Sequence, residues 1–329
     1  MKSFIDPAIR IIRKETYKLF KNSKKSPIVI LLYHRVTTLA NDFNSLAVSP
    51  DNFYKQMKFI KMNLNVASLS DNFSNFSVPT VMITFDDGYA DNYYEALPIL
   101  REFDIPATIF INTNPVLNKT EFWWDELEDI ILDGYQDKYP NEYILRSFFS
   151  RKVYSTHSYE DRKHLFMELQ NFLKQISFKK RNALIEDLLK WTKIKKQLRS
   201  EYRSLTVDEL AKFAQNDIIT IGAHSVSHCA LSSLSNIEQK KEILESKRDL
   251  ERIIKKPVTL FSYPFGNLRS YNLKTIKYLR EAGFIKAVSN FPGACGTFTD
   301  PYQLPRNLVK NKSMEEIFNG LNNIGIKLF

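Results

Sequence analysis

Cysteine is nearly absent from this 329-residue chain, which has only Cys229 and Cys295. That excludes a disulfide scaffold, and Cys229, beside His228, reads as a small buried hydrophobe rather than a metal ligand. Histidine is also sparse, five in all, so two that fall at ligand spacing carry weight. No apolar run reaches the roughly 20 residues of a membrane-spanning helix. The first residues lack the uninterrupted apolar core and small-residue cleavage site of a secretory leader. The expectation is therefore a cytoplasmic protein, at most peripheral to the membrane. The remaining composition, 43% hydrophobic and 26% charged, is ordinary for a soluble globular chain, and the length is enough to bury a full core. The 13% aromatic share suits carbohydrate stacking and a large core equally.

The formal charge of +10 is unevenly placed. Residues 1–25 carry eight Lys or Arg against Asp6 and Glu15, and residues 151–199 carry thirteen basic against five acidic residues, so the rest is mildly acidic. Near the start, Phe4, Ile5, Ile9, Ile12, Tyr17 and Phe20 are interleaved with Lys and Arg. Residues 1–26 are accordingly predicted to form a basic amphipathic helix, lying on an anionic membrane surface or docked on the main domain. Basic segments also attract acidic glycans, and many are simply solvated helix faces. Nucleic acid is not an expected partner.

The chain is organised around Val81-Met82-Ile83-Thr84-Phe85-Asp86-Asp87-Gly88. A short apolar, β-rich run of this kind reads as a buried parallel strand. It ends in two adjacent carboxylates, which repel each other and are costly to desolvate without a cation. The carboxyl end of such a sheet is where catalytic groups collect, although an Asp-Gly turn with solvated acids fits the same letters. A second apolar run, Ile218 to Ile221, leads into Gly222-Ala223-His224-Ser225-Val226-Ser227-His228. Two imidazoles four residues apart can reach one ion from a helical turn or a compact loop. Taken alone, the pair also suits two hydrogen-bonded polar histidines. An aspartate plus two histidines leaves open coordination positions for water and substrate.

Together, Thr84-Phe85-Asp86-Asp87-Gly88 and His224-Ser225-Val226-Ser227-His228 resemble the first two motifs of the polysaccharide deacetylases of the NodB-homology group, carbohydrate esterase family four. The runs Leu31-Leu32-Tyr33-His34-Arg35-Val36 and Phe261-Ser262-Tyr263-Pro264-Phe265-Gly266 are similar to further segments of that family. The resemblance spans roughly residues 28–113 and 204–308 in the expected order. It implies an α/β fold, a distorted (β/α) barrel over residues 27–329, with a helical insertion at about 116–203 that has no counterpart in it. It also implies a metal-dependent carbohydrate N-deacetylase. In that assignment Asp87, His224 and His228 hold a divalent ion, Zn²⁺ by preference with Co²⁺ or Ni²⁺ as substitutes. Asp86 is the general base, and the Phe265 backbone N–H helps bind the oxyanion. The family's acid histidine usually sits in a late Leu-x-His motif, but no histidine follows His228 here. As in some members, the early Tyr-His segment makes His34 the proton donor. An arginine often stands where this chain has Ser262; Arg306, with Asp300 to orient it, is the candidate replacement.

Along the rest of the chain, Ser49-Pro50-Asp51 opens a helix with Phe53, Met57 and Ile60 on one face, residues 93–103 form a crossover helix, and residues 107–111 form the next strand. Long helices are expected through the insertion, where Trp123 and Trp124 either stack on sugar or, the better fit, pack in a core. A helix follows from Thr206, another at 237–254, and a strand at 258–263. The expected substrate is an N-acetylated glycan or a lipid- or nucleotide-linked sugar used in cell-surface polysaccharide biosynthesis. Two other readings fit the same residues. One is an inactive glycan-binding protein of this fold, kept open by the missing arginine and late histidine. The other is a deformylase or other amide hydrolase.

Overall fold

The computed structural model describes residues 27–133, 140–146, 151–296, 298–323 and 326; the basic helix expected at residues 1–26 lies outside them. In chain order the first half comprises β1 (Ile28–Tyr33), β2 (Arg35–Val36), β3 (Ala47–Val48), α1 (Pro50–Asn63), β4 (Asn65–Val66), β5 (Thr80–Phe85), α2 (Leu97–Glu102) and β6 (Ala107–Ile111). The segment between β6 and the next sheet strand holds α3 (Thr113–Asn118), α4 (Trp123–Glu128), β7 (Glu142–Arg146), β8 (Arg151–Ser155), α5 (Tyr159–Leu173) and α6 (Phe178–Thr192). The chain then continues through α7 (Val207–Phe213), β9 (Ile219–Ala223), α8 (Asn236–Ile254), β10 (Leu260–Ser262), α9 (Leu273–Glu281), β11 (Lys286–Val288), β12 (Asn307–Leu308) and α10 (Met314–Asn323).

Strands β1, β5 and β6 are buried at every position, as unbroken apolar runs must be when both faces of a sheet are covered. They form the centre of a parallel sheet in the order β11-β10-β9-β6-β5-β1-β12, with β4 paired to the start of β5. The sheet curls into the barrel-like α/β architecture that the sequence implies. One face, through Val29, Leu31, Tyr33, Val81, Ile83 and Phe85, packs with the helices in a large apolar cluster. The opposite face, through Ile28, Ile30, Met82, Phe110 and Leu260, fills the lumen. The lumen is closed by an irregular segment rather than by a full strand. Leu304 pairs with Val288 of β11, and three residues later β12 pairs with β1. Arg306 sits at that seam.

Local chemistry explains the main helices. Ser49 caps α1 through its hydroxyl, Pro50 occupies the first turn, and Phe53, Met57 and Ile60 are buried, as the spacing predicts. Thr206 with Glu209, and Ser235 with Glu238, form reciprocal capping boxes that start α7 and α8. The crossover after β5 opens with a widened π-type turn over Asn92–Ala96 before α2, and the strand expected at 258–263 is shortened to β10. The insertion has an apolar cluster of its own, built on Trp123, Trp124, Leu127, Leu165, Leu169 and Leu188. Both tryptophans are buried, which is the core role rather than the sugar-stacking one. It also contains an antiparallel hairpin, β7 with β8, where the sequence reading expects helices. Among the described residues no helix is long and apolar enough to cross a membrane.

One glycine is required by the plug in the lumen. A Cβ at Gly222 would lie 2.5 Å from the Phe110 ring and 3.1 Å from the Leu260 carbonyl. Gly222→Ala is therefore expected to cost about 1–3 kcal/mol by overpacking. That would appear as a lower urea midpoint with an unchanged slope; a midpoint equal to wild type would show that the lumen has slack there.

Candidate active site

Side chains alternate along a strand, so the lumen face continues upward from Ile30 to Leu32 and His34, from Met82 to Thr84 and Asp86, from Gly222 to His224, and from Leu260 to Ser262. The cross-strand registers of Leu32 with Thr84 and of Phe110 with Gly222 keep these levels matched. A polar layer thus sits on an apolar plug at the carboxyl end of the sheet.

In that layer Asp87 Oδ1 lies 3.6 Å from His224 Nε2 and 3.4 Å from His228 Nε2, and the two Nε2 atoms are 3.1 Å apart. Two atoms each about 2.1 Å from one ion in tetrahedral geometry are separated by about 3.4 Å, so the three donors fit a divalent cation. Three further observations agree. His224 Nδ1 lies 2.8 Å from the Ser262 carbonyl, which can only accept; the proton is on Nδ1 and the Nε2 lone pair faces the cluster. Asp87 Oδ1 is buried with no hydrogen-bond partner. Burial, then the neighbouring Asp86 and Asp125, drive the Asp87 carboxyl well above its ordinary range, an arrangement that a cation relieves. Burial also holds both imidazoles below their ordinary value, leaving them neutral, as ligation requires.

Asp86 has the opposite environment. Arg306 grips it with two parallel bonds, Nη1 to Oδ1 at 2.7 Å and Nη2 to Oδ2 at 2.5 Å. The remaining guanidinium donors go to Thr84 Oγ1, Ser262 Oγ and the Ser289 carbonyl, so all five N–H groups have acceptors. Burial pushes the Asp86 carboxyl up, but Arg306 and then His224 more than offset it and hold it at about 2. Ser262, where the family often has arginine, leaves the room that Arg306 enters and donates to Asp86 at 3.1 Å. Asp300 does not orient Arg306. It accepts from the Tyr302 N–H and from Gln303 Nε2, forming a turn that ends before the arginine.

His34 is half-buried at the end of β1. The Asp86 N–H donates to the Tyr33 carbonyl at 3.0 Å, which sets the histidine beside Asp86, and its Nδ1 has no partner. Burial lowers the imidazole to about 4, against the pull of the Asp86 charge. Phe265 has a left-handed backbone, φ +62°, as does Gly266 at +56°. A Cβ on Gly266 would meet Asn290 N at 2.5 Å, so only glycine permits the turn. Among the described residues the Phe265 N–H has no acceptor, and its ring lies edge-on to His228 at 4.6 Å. Asp87, Ser225 and His228 also have positive φ, at +77°, +63° and +53°. Such conformations cost about 1–3 kcal/mol each and cluster where surrounding structure enforces a functional geometry.

Sequence reasoning missed the wall that the insertion contributes. Trp124 lies 4.6 Å from the His228 ring; its Nε1 donates to Tyr89 Oη, which donates to Asp125 Oδ2 at 2.6 Å. Burial pushes the Asp125 carboxyl up to about 7, against the Tyr89 bond and the Arg35 charge. Only the closeness of Trp124 and Asp125 to the start of the insertion hinted at this.

Comparison with known proteins agrees with this fold. A family model described as polysaccharide deacetylase matches residues 74–137 and 156–287, well over half the chain. The Bacillus subtilis protein YxkH, which carries a provisional polysaccharide deacetylase name, is 23% identical over 308 residues, covering 91% of this chain and 78% of its own. Among solved structures, the Streptococcus pyogenes deacetylase PplD, determined with acetate, superposes with a TM-score of 0.58 at 18% identity over 90% of this chain and 98% of that one. A de-N-acetylase from Aggregatibacter actinomycetemcomitans gives 0.55 at 15% identity, covering 91% and 100%. At these identities the structural likeness shows the fold.

Asp86 is held below its ordinary value of 3.8, so its pairing stabilises the fold above about pH 4 and is lost only as pH falls toward about 2. In Arg306→Met, burial loses its main opponent, lifts the carboxyl and makes its ionised form the costly one. Breaking such a pair costs about 3–5 kcal/mol. The urea midpoint of Arg306→Met is therefore expected to fall well below wild type at pH 7 and to close on it at pH 5. A gap independent of pH would mean that Asp86 is not the group Arg306 governs.

Proposed function

The chain belongs to the polysaccharide deacetylase family, and from that premise we propose that it hydrolyses the acetamide of an N-acetylated sugar with a divalent metal held by Asp87, His224 and His228. The observation that carries the reading is the convergence of Asp87 Oδ1 and the two Nε2 atoms within 3.1–3.6 Å beside a separate, ionised Asp86. The mixed nitrogen and oxygen donors suit Zn²⁺, with Co²⁺ or Ni²⁺ as substitutes. When bound, the ion supplies Lewis-acid polarisation of the acetyl carbonyl and a lowered pKa for water.

Asp86, kept ionised by Arg306, accepts the proton of the attacking water. The unpaired Phe265 N–H is free to donate to the oxyanion as it develops. His34 delivers a proton to the departing sugar amine. His34 stands beside Asp86, whose charge pulls its imidazole up against burial, so the carboxylate that takes the water's proton is placed to hand it to the imidazole. The acetate recorded with the Streptococcus relative is the acid such a reaction releases. Beside the histidine loop, a cavity of about 470 Å³ lined in part by Asn112, Asn114 and Asn182 offers amide groups that suit sugar hydroxyls. The substrate we favour is a lipid- or nucleotide-linked N-acetylated sugar used in cell-surface polysaccharide assembly at the cytoplasmic face of the membrane. The two cysteines, both buried and unpaired, suit that compartment, and the basic residues 1–25 would meet the anionic lipid.

Acetate release from N-acetylglucosamine oligomers and lipid-linked N-acetylhexosamines tests the reading. Metal-loaded wild type is expected to release acetate, Asp86→Asn and His224→Ala to release none, and His34→Ala to lose about 10²–10⁴-fold in kcat. Formate release from formylated sugars, with none from acetylated ones, would replace the acyl group. Bound metal without any release would favour a glycan binder. Removing residues 1–25 should abolish sedimentation with phosphatidylglycerol vesicles while sparing hydrolysis of soluble oligomers; vesicle binding that survives the deletion would exclude that segment as the anchor.

A further inference from the structure

The loop that carries His228 is gripped by opposite charges from its two sides, and the cationic side belongs to the insertion. Arg181, on α6, is 1% exposed, yet among the described residues no carboxylate lies within ion-pair reach of it. Its guanidinium donates instead to the main-chain carbonyls of Ser227 and His228, the latter at 3.3 Å, and to Cys229 Sγ at 3.3 Å. It lies 5.1 Å from the centre of the Trp123 ring. On the other side, Glu242 of α8 accepts the N–H groups of Val226 and Ser227 at 2.9 Å each and the Ser227 hydroxyl at 2.6 Å. The loop's donors thus run to a carboxylate and its acceptors to a guanidinium.

A buried guanidinium with no paired carboxylate is costly, and what it secures here is narrow. It fixes the two carbonyls around His228, whose φ of +53° is a conformation that L residues hold only under restraint. We infer that Arg181 and Glu242 are positioning residues that hold His228 in its ligating orientation, so the insertion sets how tightly the site binds its metal. This rests on the metal reading above. A lysine in place of Arg181 would bring one point charge, not a planar fork able to serve several acceptors.

The test is titration of the metal-free, full-length chain with Co²⁺, read by calorimetry and by the visible absorption of the bound ion. Arg181→Met is expected to bind about 10–100-fold more weakly, the usual cost of losing an outer partner of a metal ligand, with an altered absorption band. Arg181→Lys should recover part of the affinity, and Glu242→Gln should weaken it. Leu169→Ala, in the insertion's apolar cluster, should lower thermal stability while keeping affinity and band. The inference is overturned if Arg181→Met keeps wild-type affinity and band, or if Leu169→Ala weakens binding as much. Should Arg181→Met fail to fold, wild-type affinity and band in both Arg181→Lys and Glu242→Gln overturn it equally. A wild-type chain that binds no Co²⁺ would instead remove the metal reading, a different failure.

Discussion

The buried pair between Asp86 and Arg306 is the interaction on which the rest depends. It joins the end of a central strand to the segment that closes the barrel, two parts of the chain 220 residues apart. Leaving either charge alone in that setting would cost several kcal/mol, so the carboxyl end of β5, the seam and the position of Ser262 are fixed together. The pair therefore serves architecture and, in the proposed reaction, chemistry at once: the contact that holds the barrel shut also keeps the proposed base ionised.

Adjacent residues are given opposite characters by their surroundings. Asp86 turns toward a cation that the protein supplies, and its carboxyl is held low. Asp87 turns toward two neutral imidazoles, and its carboxyl is forced up unless a cation comes from outside. Pushing two neighbouring acids apart in this way would divide one dipeptide between the proposed proton transfer and the proposed ligation. The left-handed backbone at Asp87 lets consecutive side chains face such different partners.

What the sequence disclosed follows from periodicity and local chemistry. The runs before Asp86 and His224 announce buried strands because no polar face interrupts them, and Ser49 and Thr206 announce helix starts because their hydroxyls cap. The metal-ligand candidates were legible because Asp87, His224 and His228 end such strands or follow them closely. Arg306 was legible only as a vacancy filled, since nothing local tells an arginine after Pro305 that its partner is Asp86; the nearby Asp300 was the natural wrong choice. The hairpin of β7 and β8 was hidden because its strands are short, rich in charge and set among helices, with an exposed second strand. Trp124, Tyr89 and Asp125 form a wall only when the insertion folds back over the sheet, and no window of sequence contains that event.

The seam has a consequence for how the molecule gives way. At the centre of the sheet, neighbouring strands share continuous ladders, six registered pairs between β1 and β5 and five between β6 and β9. At the closure there is a single bridge at Leu304 and a two-residue strand. Local opening begins where backbone pairing is thin, so the barrel should part at this seam, as at the single registered pair of β9 with β10, before its central ladders melt. Parting pulls Arg306 from Asp86, and catalytic competence would be extinguished on warming while most of the amide protons in β1, β5 and β6 are still shielded from exchange.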